Sequence, residues 1–508
     1  MVIHSPVFLI FLAVVFILYW SVPRHFRWII ILVSSFLFYA SFVPAWSLVL
    51  ILSILFNYAL GISIEKQSGD RQRSRLLVAG IILNVSLLAV FKYFDSISNY
   101  LPDTVNLFFS NSRLPVFDTS SSLVKLIVPA GISFFTLSAI SYLIEIKRKK
   151  ITAERHPGYF ACNISFFPKL IMGPIERPNH FLPQIREGNS FRYDQAVSGL
   201  KLMLWGYFKK LVVADRLAPV VDTVYASSQS YPGPTLAMAT ILYAFQLYFD
   251  FSAYTDIARG AGKILGFEIL PNFNRPYASV SIREFWTRWH MTLSSWLRDY
   301  IFLPFAYALS GKLNKISYYG IKTEKIVYTL SIFFTFFICG LWHGVGWNFI
   351  IWGLVFALYL SVARLLKRKR RGEERNSPQR TSGWFITTIQ ILTTFLMVCF
   401  TWVFFRTGTP ADALQFLSGM LNGWRLFSNP SGTLVDFFTF PGISTALEAL
   451  FVCGLLISSM TFEYIWSCRG KNFFDSMPFY IRWSGYAFIL FLILTFGNFG
   501  QQFIYSRF

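Results

Sequence analysis

The chain has 508 residues, of which 54% are hydrophobic and 19% aromatic, while charged residues make up only 14%. Soluble proteins carry roughly 25% charged residues, so this composition excludes an ordinary soluble protein and indicates an integral membrane protein. The net charge of +21 suggests a nucleic-acid partner, but the basic residues lie in loops between apolar segments, which argues against that partner.

Apolar segments long enough to cross a membrane recur along the whole chain. A helix crosses the hydrocarbon core of a bilayer with about 20 residues. The segments of about this length are 6–22, 27–43, 45–64, 76–94, 123–145, 196–214, 235–255, 326–342, 344–366, 383–405, 441–466 and 483–500. Two further segments, 158–172 and 280–306, are predicted to be re-entrant or interfacial. We therefore predict an all-α polytopic membrane protein, a bundle of about 11–13 transmembrane helices.

Basic residues are concentrated in alternate loops. They cluster at 66–75, at 147–150 and in the sequence KRKRRGEERNSPQR at 367–380, whereas the loop 95–122 is slightly acidic. Cytoplasmic loops of membrane proteins carry an excess of lysine and arginine. The pattern predicts a multi-pass protein with its N-terminus outside and its major basic loops in the cytoplasm, where they also attract anionic lipid.

The sequence shows no soluble domain and is predicted to form one integral-membrane domain over residues 1–508. Its N-terminal part, 1–150, consists of plain hydrophobic helices. The segment 158–366 is predicted to be the catalytic core, with broken and interfacial helices. A basic cytoplasmic loop, 367–382, then separates this core from C-terminal helices at 383–508.

The sequence FFPKLIMGPIERPNHF, residues 166–181, combines prolines and charged residues with apolar residues. Proline breaks helices because it lacks an N–H donor and clashes with the preceding turn. Broken backbone at membrane depth is tolerated only where it is buried in protein or lines a water-filled cavity. We therefore expect a cavity in the middle third of the chain.

The segment 280–306 has the amphipathic pattern of a single helix. Ser281 followed by Glu284 forms a capping box, which predicts the start of this helix. Aromatic and aliphatic residues then recur at helical spacing on one face, which also carries His290, while arginines mostly occupy the other. A helix rich in tryptophan and arginine is expected to lie in the membrane interface, with its apolar face toward lipid or toward the bundle.

Two of the six histidines, His290 and His343, lie in apolar surroundings, where an imidazole must be hydrogen-bonded or functional. For His343 the structural alternative is a core histidine bonded to a backbone carbonyl freed by Gly340 or Gly344. The other histidines lie near segment ends or in polar loops, where no special role is needed: His4, His25, His156 and His180.

A buried imidazole suits proton abstraction, because its unperturbed pKa is about 6.5 and burial disfavours its charged form. The glycines around His343 also allow the close approach of backbone and substrate. No serine, cysteine or carboxylate stands at a spacing that forms a local triad. Asp250 and Asp256 are the nearest acidic candidates, and ion-pair or hydrogen-bond roles fit them equally well. A lone base fits direct attack by a hydroxyl group on an activated acyl donor better than it fits a covalent acyl-enzyme.

The five cysteines show no metal-like spacing and no disulfide pattern, so neither a zinc site nor a disulfide framework is predicted. They are Cys162, Cys339, Cys399, Cys453 and Cys468.

Five motifs in a fixed order give the chain a family resemblance: FFPKLIMGPIERP, FDFSAYTDIARGAGKILGFEILPNFNRPY, FWTRWHMTLSSWLRDYIFLP, FFICGLWHGVGWNFIIWG and TWVFFRTGTPADAL. In this order they resemble the membrane-bound O-acyltransferases. The bacterial branch typified by the membrane subunit of alginate O-acetylation is the most similar, and the terminal FGNFGQQFIYSRF also resembles that branch. The resemblance extends over essentially the whole chain.

The resemblance implies a helical bundle around a central funnel or tunnel, with His343 as the catalytic residue and His290 as a second characteristic polar position. It implies an acetyl group taken from cytoplasmic acetyl-CoA and passed across the bacterial inner membrane to a hydroxyl of an exported polysaccharide, alginate or similar. It further implies a periplasmic esterase-like partner, a polysaccharide synthesis and export complex, no permanently bound cofactor and no metal.

Three other functions are compatible with parts of the sequence. A transporter or flippase of a glycan or lipid intermediate would also have broken helices and intramembrane polar groups. However, the sequence shows no inverted repeat and no paired intramembrane acids. A purely structural scaffold leaves His343 unexplained. A D-alanyl transferase of teichoic-acid modification shares the tryptophan–histidine motif but is shorter.

Overall fold

The computed structural model describes most of the chain, namely residues 1–98, 117–118, 125–126, 128–313, 315–366, 383–424, 431, 446–499 and 503. The predicted cytoplasmic loop 367–382 lies outside the described residues, as does most of the predicted outer loop 95–122. The final residues of the terminal motif, 504–508, also lie outside them.

The described residues are mainly helical. Their α-helices are α1 (Pro6–Ser21), α2 (Arg27–Ala40), α3 (Trp46–Lys66), α4 (Asp70–Ser98), α5 (Ile132–Lys147), α6 (Pro157–Ser165), α7 (Phe167–Leu170), α8 (Pro178–Glu187), α9 (Tyr193–Tyr207), α10 (Asp215–Ala226), α11 (Gly233–Ile264), α12 (Ile282–Arg288), α13 (Met291–Leu297), α14 (Leu303–Ser310), α15 (Thr323–His343), α16 (Trp347–Leu366), α17 (Trp384–Arg406), α18 (Pro410–Met420), α19 (Ala446–Asp475) and α20 (Phe479–Phe496).

Shorter elements connect these helices. Two π-helical segments follow α9 and α13, at Phe208–Ala214 and Arg298–Phe302. Two antiparallel pairs of two-residue strands are present, β1 (Phe117–Asp118) with β2 (Lys125–Leu126) and β3 (Ser317–Tyr318) with β4 (Ile321–Lys322). Three short 3₁₀ turns complete the described elements, at Arg24–Phe26, Ser228–Ser230 and Pro276–Ala278.

Eight helices in the described part of the chain are long and apolar enough to cross a membrane. They are α3, α4 (over Asp70–Phe94), α11, α15, α16, α17, α19 (over Leu450–Cys468) and α20. The predicted all-α, multi-pass membrane protein is therefore confirmed. The predicted spans 6–22, 27–43 and 123–145 contain helices of 16, 14 and 16 residues, which are shorter than a full span.

The described chain divides into two compact units. Unit 1 comprises Met1–Tyr207 and Ala253–Pro271, and unit 2 comprises Phe208–Ser252 and Asn272–Phe508. The boundaries between the units fall inside the predicted core segment 158–366, not at its ends.

Unit 1 is built on the packing of α2 to α6. Tyr39, Tyr142 and Phe160 are fully buried in its hydrophobic core. Asn57 of α3 and Asn84 of α4 are also buried, and their side-chain amides bond to each other over 3.1 and 2.8 Å. Reciprocal amide bonds of this kind hold apolar helices together in lipid, where apolar packing alone provides little driving force.

The predicted break at 166–181 is confirmed in unit 1. Helix α6 ends at Ser165, α7 is a single turn, and α8 begins at Pro178. Two charged side chains of the break, Lys169 and Glu176, are buried and bonded to backbone. Lys169 Nζ donates to the Asn163 carbonyl oxygen over 2.7 Å, and Glu176 Oε1 accepts from the Leu270 N–H over 2.6 Å. These bonds offset the cost of burying charge, so the broken backbone is stabilised within the protein.

The prediction of a single amphipathic helix over 280–306 is wrong, because the structure has two shorter helices in the first part of this segment. Its start is correct, since the Ser281 hydroxyl accepts from the Glu284 N–H over 3.2 Å, although the Glu284 carboxylate accepts from the Val280 N–H rather than closing the predicted box. The helix then ends at Arg288, and α13 begins after His290, whose φ of 40° is left-handed.

The reason for this break is a tertiary contact within unit 2. The backbone and side-chain oxygens of Asn272 accept hydrogen bonds from the first residues of α13: from the Met291 N–H over 2.9 Å and from the Thr292 hydroxyl over 2.6 Å. These bonds satisfy groups that a continuous helix would have satisfied internally. Consequently the aromatic face of the segment, with Phe285 and Trp289 buried, points into unit 2 and not toward lipid.

Candidate functional site

His343 is the last residue of α15, and a turn of three residues, 344–346, leads into α16. The two helices form a hairpin that is held together at glycines. A Cβ on Gly340 would lie 2.6 Å from the Phe349 carbonyl oxygen, and a Cβ on Gly353 would lie 2.4 Å from that of Phe336. Only glycine permits this backbone-to-backbone approach. Of the glycines around His343, Gly340 therefore shows the predicted close approach of backbone.

We expect Gly353→Ala to lower the melting temperature of the purified protein, because its new methyl group would meet the rigid backbone of α15. Overpacking of this kind costs about 1–3 kcal/mol. A matched control is Gly454→Ala in α19, where nothing lies within 4 Å of the added Cβ. The control should be neutral or stabilising, since alanine favours a helix more than glycine does. Equal melting temperatures for the two variants would contradict the proposed backbone contact.

Aromatic rings surround the His343 side chain, which is only 5% exposed. Its ring centroid lies 4.8 Å from that of Trp342, 4.9 Å from that of Trp352 and 5.2 Å from that of Phe405. We call these three rings the aromatic box. Behind it, the buried Trp402 stacks on Trp352 at 6.0 Å. The box keeps bulk water away from the imidazole and lowers the local dielectric constant, which strengthens any electrostatic interaction made there.

Asn348 connects the start of α16 to the end of α17. Its buried side-chain amide donates to the carbonyl oxygens of Phe404 and Thr407, over 3.2 and 2.7 Å. These bonds hold the neighbouring Phe405 ring against His343. Sequence reasoning missed this positioning residue, although an amide directly after WHGVGW, in an otherwise apolar run, was an available signal.

The two predicted site histidines share one neighbour in unit 2. His290 is 1% exposed, and its ring centroid lies 4.7 Å from that of Phe251 and 6.2 Å from that of Trp342. The Trp342 indole therefore contacts both imidazoles, as His343 follows it directly. The predicted apolar surroundings of His290 are therefore confirmed, but the residue lies at the break between α12 and α13 and not on the face of one helix.

Burial lowers the pKa of His290 to about 3, so its imidazole is neutral at physiological pH. His290 lies outside the eight candidate spans. Because the folded-state pKa is below the unfolded value of 6.5, the unfolded chain binds a proton at His290 more tightly than the folded protein does. The free energy of unfolding therefore falls as the pH drops below 6.5.

We expect acidification from pH 6.5 to pH 5 to remove about 2 kcal/mol of stability through His290. The variant His290→Asn cannot titrate, and asparagine tolerates the left-handed conformation at this position. Thermal unfolding in detergent at both pH values should therefore show a smaller loss in the variant than in the wild type. The same acid-induced loss in both proteins would exclude His290 as the titrating group.

A buried network of charges joins α11 to α10 and to the π-helical segment before it, and its residue on α11 directly precedes Phe251, which contacts His290. Lys210 Nζ lies 2.7 Å from Asp250 Oδ1 and 2.8 Å from Asp215 Oδ1, and all three side chains are at most 2% exposed. Asp250, an acidic candidate in the sequence, is therefore an ion-pair partner of Lys210. The other candidate, Asp256, lies 3.5 Å from Arg259.

The neighbouring Lys209 extends this network. Its Nζ donates to the Ser252 hydroxyl over 3.0 Å and lies 3.5 Å from Glu463 Oε1. The Tyr248 hydroxyl donates to the other oxygen of Glu463 over 2.5 Å. Both lysines belong to the π-helical segment that follows α9. Sequence reasoning missed them, although two adjacent lysines within an apolar run were a visible signal.

The sequence predicts a cavity in the middle third of the chain, and two cavities of the structure are lined in part by residues of that third. One, of about 200 Å³, lies in unit 1 and includes Tyr19, Arg27 and Phe267 in its lining. The other, of about 590 Å³, lies in unit 2 between the end of α10 and the start of α18. Neither lining includes His290 or His343. Among the described residues, no group of three or more histidine, cysteine or acidic side chains is placed to hold a metal ion.

Comparison with known proteins identifies the family. Residues 31–406 match the model of the membrane-bound O-acyltransferase family. The chain is 33% identical over 459 residues to the peptidoglycan O-acetyltransferase of Helicobacter pylori, covering 83% of this chain and 80% of that protein. It is 33% identical over 435 residues to the probable alginate O-acetylase AlgI of Azotobacter vinelandii, covering 84% and 79%.

More distant similarity extends to a second kind of acyl transfer. The chain is 28% identical over 286 residues to the teichoic acid D-alanyltransferase of Bacillus subtilis, covering 55% of this chain and 69% of that protein. Together with the helical fold and the candidate spans, these matches show that the chain belongs to the membrane-bound O-acyltransferase family and is a multi-pass membrane O-acyltransferase.

Proposed function

We propose that this protein transfers an acetyl group from acetyl-CoA to a hydroxyl group of an exported polysaccharide, with His343 as the general base. The observation that carries the proposal is the position of His343. An imidazole at the end of a candidate span, enclosed by three aromatic rings, is shielded from water where an ester must form.

The imidazole has one task in the proposed reaction, which is to move the proton of the acceptor. As the acceptor oxygen attacks the thioester carbonyl, His343 takes the hydroxyl proton, and a carbon–oxygen bond forms. The carbon–sulfur bond then breaks, and the imidazolium returns the proton to the leaving thiolate, which gives free coenzyme A. No acyl-enzyme is required, so a nucleophilic serine or cysteine is not needed beside the histidine.

Loop charge supports the proposed orientation of the hairpin. The ends of α15 and α16 opposite His343 carry basic residues: Lys325 Nζ donates to the Leu365 carbonyl oxygen over 2.7 Å, and Arg364 lies 3.9 Å from Glu324. Positive charge favours the cytoplasmic side, so we infer that His343 lies toward the outer side. By the same rule we infer that the N-terminus lies outside. The bacterial relatives support the inner membrane as the location of the protein.

The acceptor and the partners follow from the relatives. Two of these are named for O-acetylation of bacterial glycans, peptidoglycan in one case and alginate in the other. We therefore infer an exported glycan as the final acceptor, with a periplasmic esterase-like protein completing the transfer within a synthesis and export complex. D-Alanyl transfer is less favoured, because the D-alanyltransferase match covers only 55% of this chain.

The proposal is tested with purified protein in lipid vesicles that is supplied with radiolabelled acetyl-CoA. We expect free coenzyme A to be released as acetyl-CoA is consumed, and labelled ester to form on a polysaccharide acceptor when the periplasmic esterase-like partner is also supplied. A mutant strain without the protein should produce a polymer that lacks acetyl ester. If the vesicles moved a lipid-linked sugar and left acetyl-CoA intact, transport would be the function instead.

A further inference from the structure

A polar cleft of about 590 Å³ lies in unit 2 and is separate from the aromatic box. One wall is the end of α10 with the turn that follows it, and the other is the connection from α17 to α18 with the start of α18. The residues that matter for its chemistry are Asp222, Gln229, Arg406, Thr407, Asp412 and Gln415. Its volume is within the range of about 300–1,000 Å³ that is typical of small-ligand sites.

The lining of this cleft is rich in neutral hydrogen-bonding groups. Three serines (Ser227, Ser228 and Ser230), Thr407 and the two glutamines together supply hydroxyl and amide groups, each able to donate and accept. Such groups complement the hydroxyls of a saccharide. Beneath them the rings of Tyr225 and Phe416 stack with centroids 4.3 Å apart, which makes one side of the cleft rigid.

The charge of the cleft argues against an anionic ligand. The lining holds two carboxylates, Asp222 and Asp412, and one guanidinium, Arg406. The guanidinium is already paired, since Arg406 Nη2 lies 2.6 Å from Asp222 Oδ1. Asp412 remains as excess negative charge, although it also accepts from the Thr409 N–H over 3.0 Å. A uronate polymer would meet repulsion here, whereas a neutral sugar would not.

The cleft and the aromatic box are built on the same short stretch at the end of α17. Phe405 contacts the His343 ring, while Arg406 and Thr407 line the cleft. The Asn348 amide, bonded to the carbonyl oxygens of Phe404 and Thr407, fixes this stretch against the start of α16. A ligand in the cleft is therefore held next to the wall of the box.

We propose that this cleft binds a neutral, hydroxyl-rich saccharide unit of the acceptor, close to the transfer site. This inference rests on the proposed function and narrows it, since it selects an uncharged glycan over a polyuronate. By the inferred orientation, the end of α17 lies on the same outer side as His343, where an exported glycan is available.

The test is titration calorimetry of the purified, detergent-solubilised protein with two probes, cellohexaose as the neutral saccharide and a mannuronate hexamer as the anionic one. We expect cellohexaose to bind at least tenfold more tightly than the mannuronate hexamer. The double variant Gln229→Ala/Gln415→Ala should weaken cellohexaose binding about tenfold, through the loss of two hydrogen bonds. The control Gln72→Ala, an exposed glutamine of α4 outside the cleft, should bind as the wild type does.

A charge-change variant tests the anionic discrimination directly. Gln415→Lys adds a cation to the lining and should strengthen binding of the mannuronate hexamer relative to cellohexaose. The inference is overturned if neither hexamer binds, if the mannuronate hexamer binds as tightly as cellohexaose, or if the double variant binds cellohexaose unchanged.

The variant His343→Ala separates this inference from the proposed function. It should bind cellohexaose as the wild type does and lose acyl transfer. If it retained transfer while the cleft variants still weakened binding, the proposed base would be wrong and the saccharide site would stand. If it lost transfer while the cleft variants had no effect on binding, the base would stand and the saccharide site would be wrong.

Discussion

Replacing His343 with alanine is expected to lower the rate of acyl transfer about 10²–10⁴-fold, which is the usual contribution of general base catalysis. The variant removes the proposed proton acceptor from the aromatic box. The measurement is the release of free coenzyme A from acetyl-CoA in vesicles, at matched amounts of protein. Membrane abundance and melting temperature are measured on the same preparation. Values equal to those of the wild type show that the lower rate does not come from unfolded protein.

Two further variants make this result specific. His343→Gln keeps a polar side chain that fills part of the same space but cannot take up a proton, so it should lose as much activity as His343→Ala. His25→Ala changes an exposed histidine of a short turn between α1 and α2 and should retain full activity. A His343→Gln protein with more than one tenth of the wild-type rate would show that the imidazole does not act as the base.

The second large effect is expected at Lys210, which lies between Asp215 and Asp250. Lys210→Met would remove the Lys210 cation from two buried carboxylates. Removing one partner of a buried ion pair costs about 3–5 kcal/mol, because the remaining charge is uncompensated. We therefore expect a large drop in melting temperature and low abundance in the membrane.

Restoring neutrality should reverse much of this loss. In the triple variant Lys210→Met/Asp215→Asn/Asp250→Asn the buried charge is gone, and such replacements are often close to neutral. Lys150→Met is the control, since Lys150 is 61% exposed and 3.7 Å from Glu145, where an ion pair contributes little. If the triple variant were as unstable as Lys210→Met, lost packing rather than unpaired charge would be the cause.

Local features of the chain could be predicted from the sequence. Ser281 starts a helix because its hydroxyl accepts from the N–H three residues on. The prolines in 166–181 lie at the starts of the short helices α7 and α8 and in the connection between them, where no N–H donor is needed. The position of His343 between two apolar segments was equally readable, because glycines follow and precede it at the turn. In each case the cause and the effect lie within a few residues.

Other features depend on contacts between residues that are distant in the chain. The apolar periodicity of one segment cannot predict such contacts. The break at His290 depends on Asn272, and the partner of Lys209 is Glu463, which is 254 residues away. Apolar composition also cannot separate lipid-facing from core helices. The apolar window of α11 is 78% buried in the protein while that of α4 is 11% buried, and both are hydrophobic enough to cross a membrane.

The close backbone approach at Gly340 and at Gly353 has a mechanical consequence for access to His343. Helices that touch through their backbones have no side-chain layer between them that can rearrange, so the α15–α16 hairpin moves as one stiff piece. The imidazole is almost fully enclosed, and of the three rings that surround it only Phe405, at the end of α17, lies outside this hairpin. Asn348 donates to the carbonyl oxygens of Phe404 and Thr407, on either side of that ring, so we expect the loss of these two hydrogen bonds to make the imidazole more accessible.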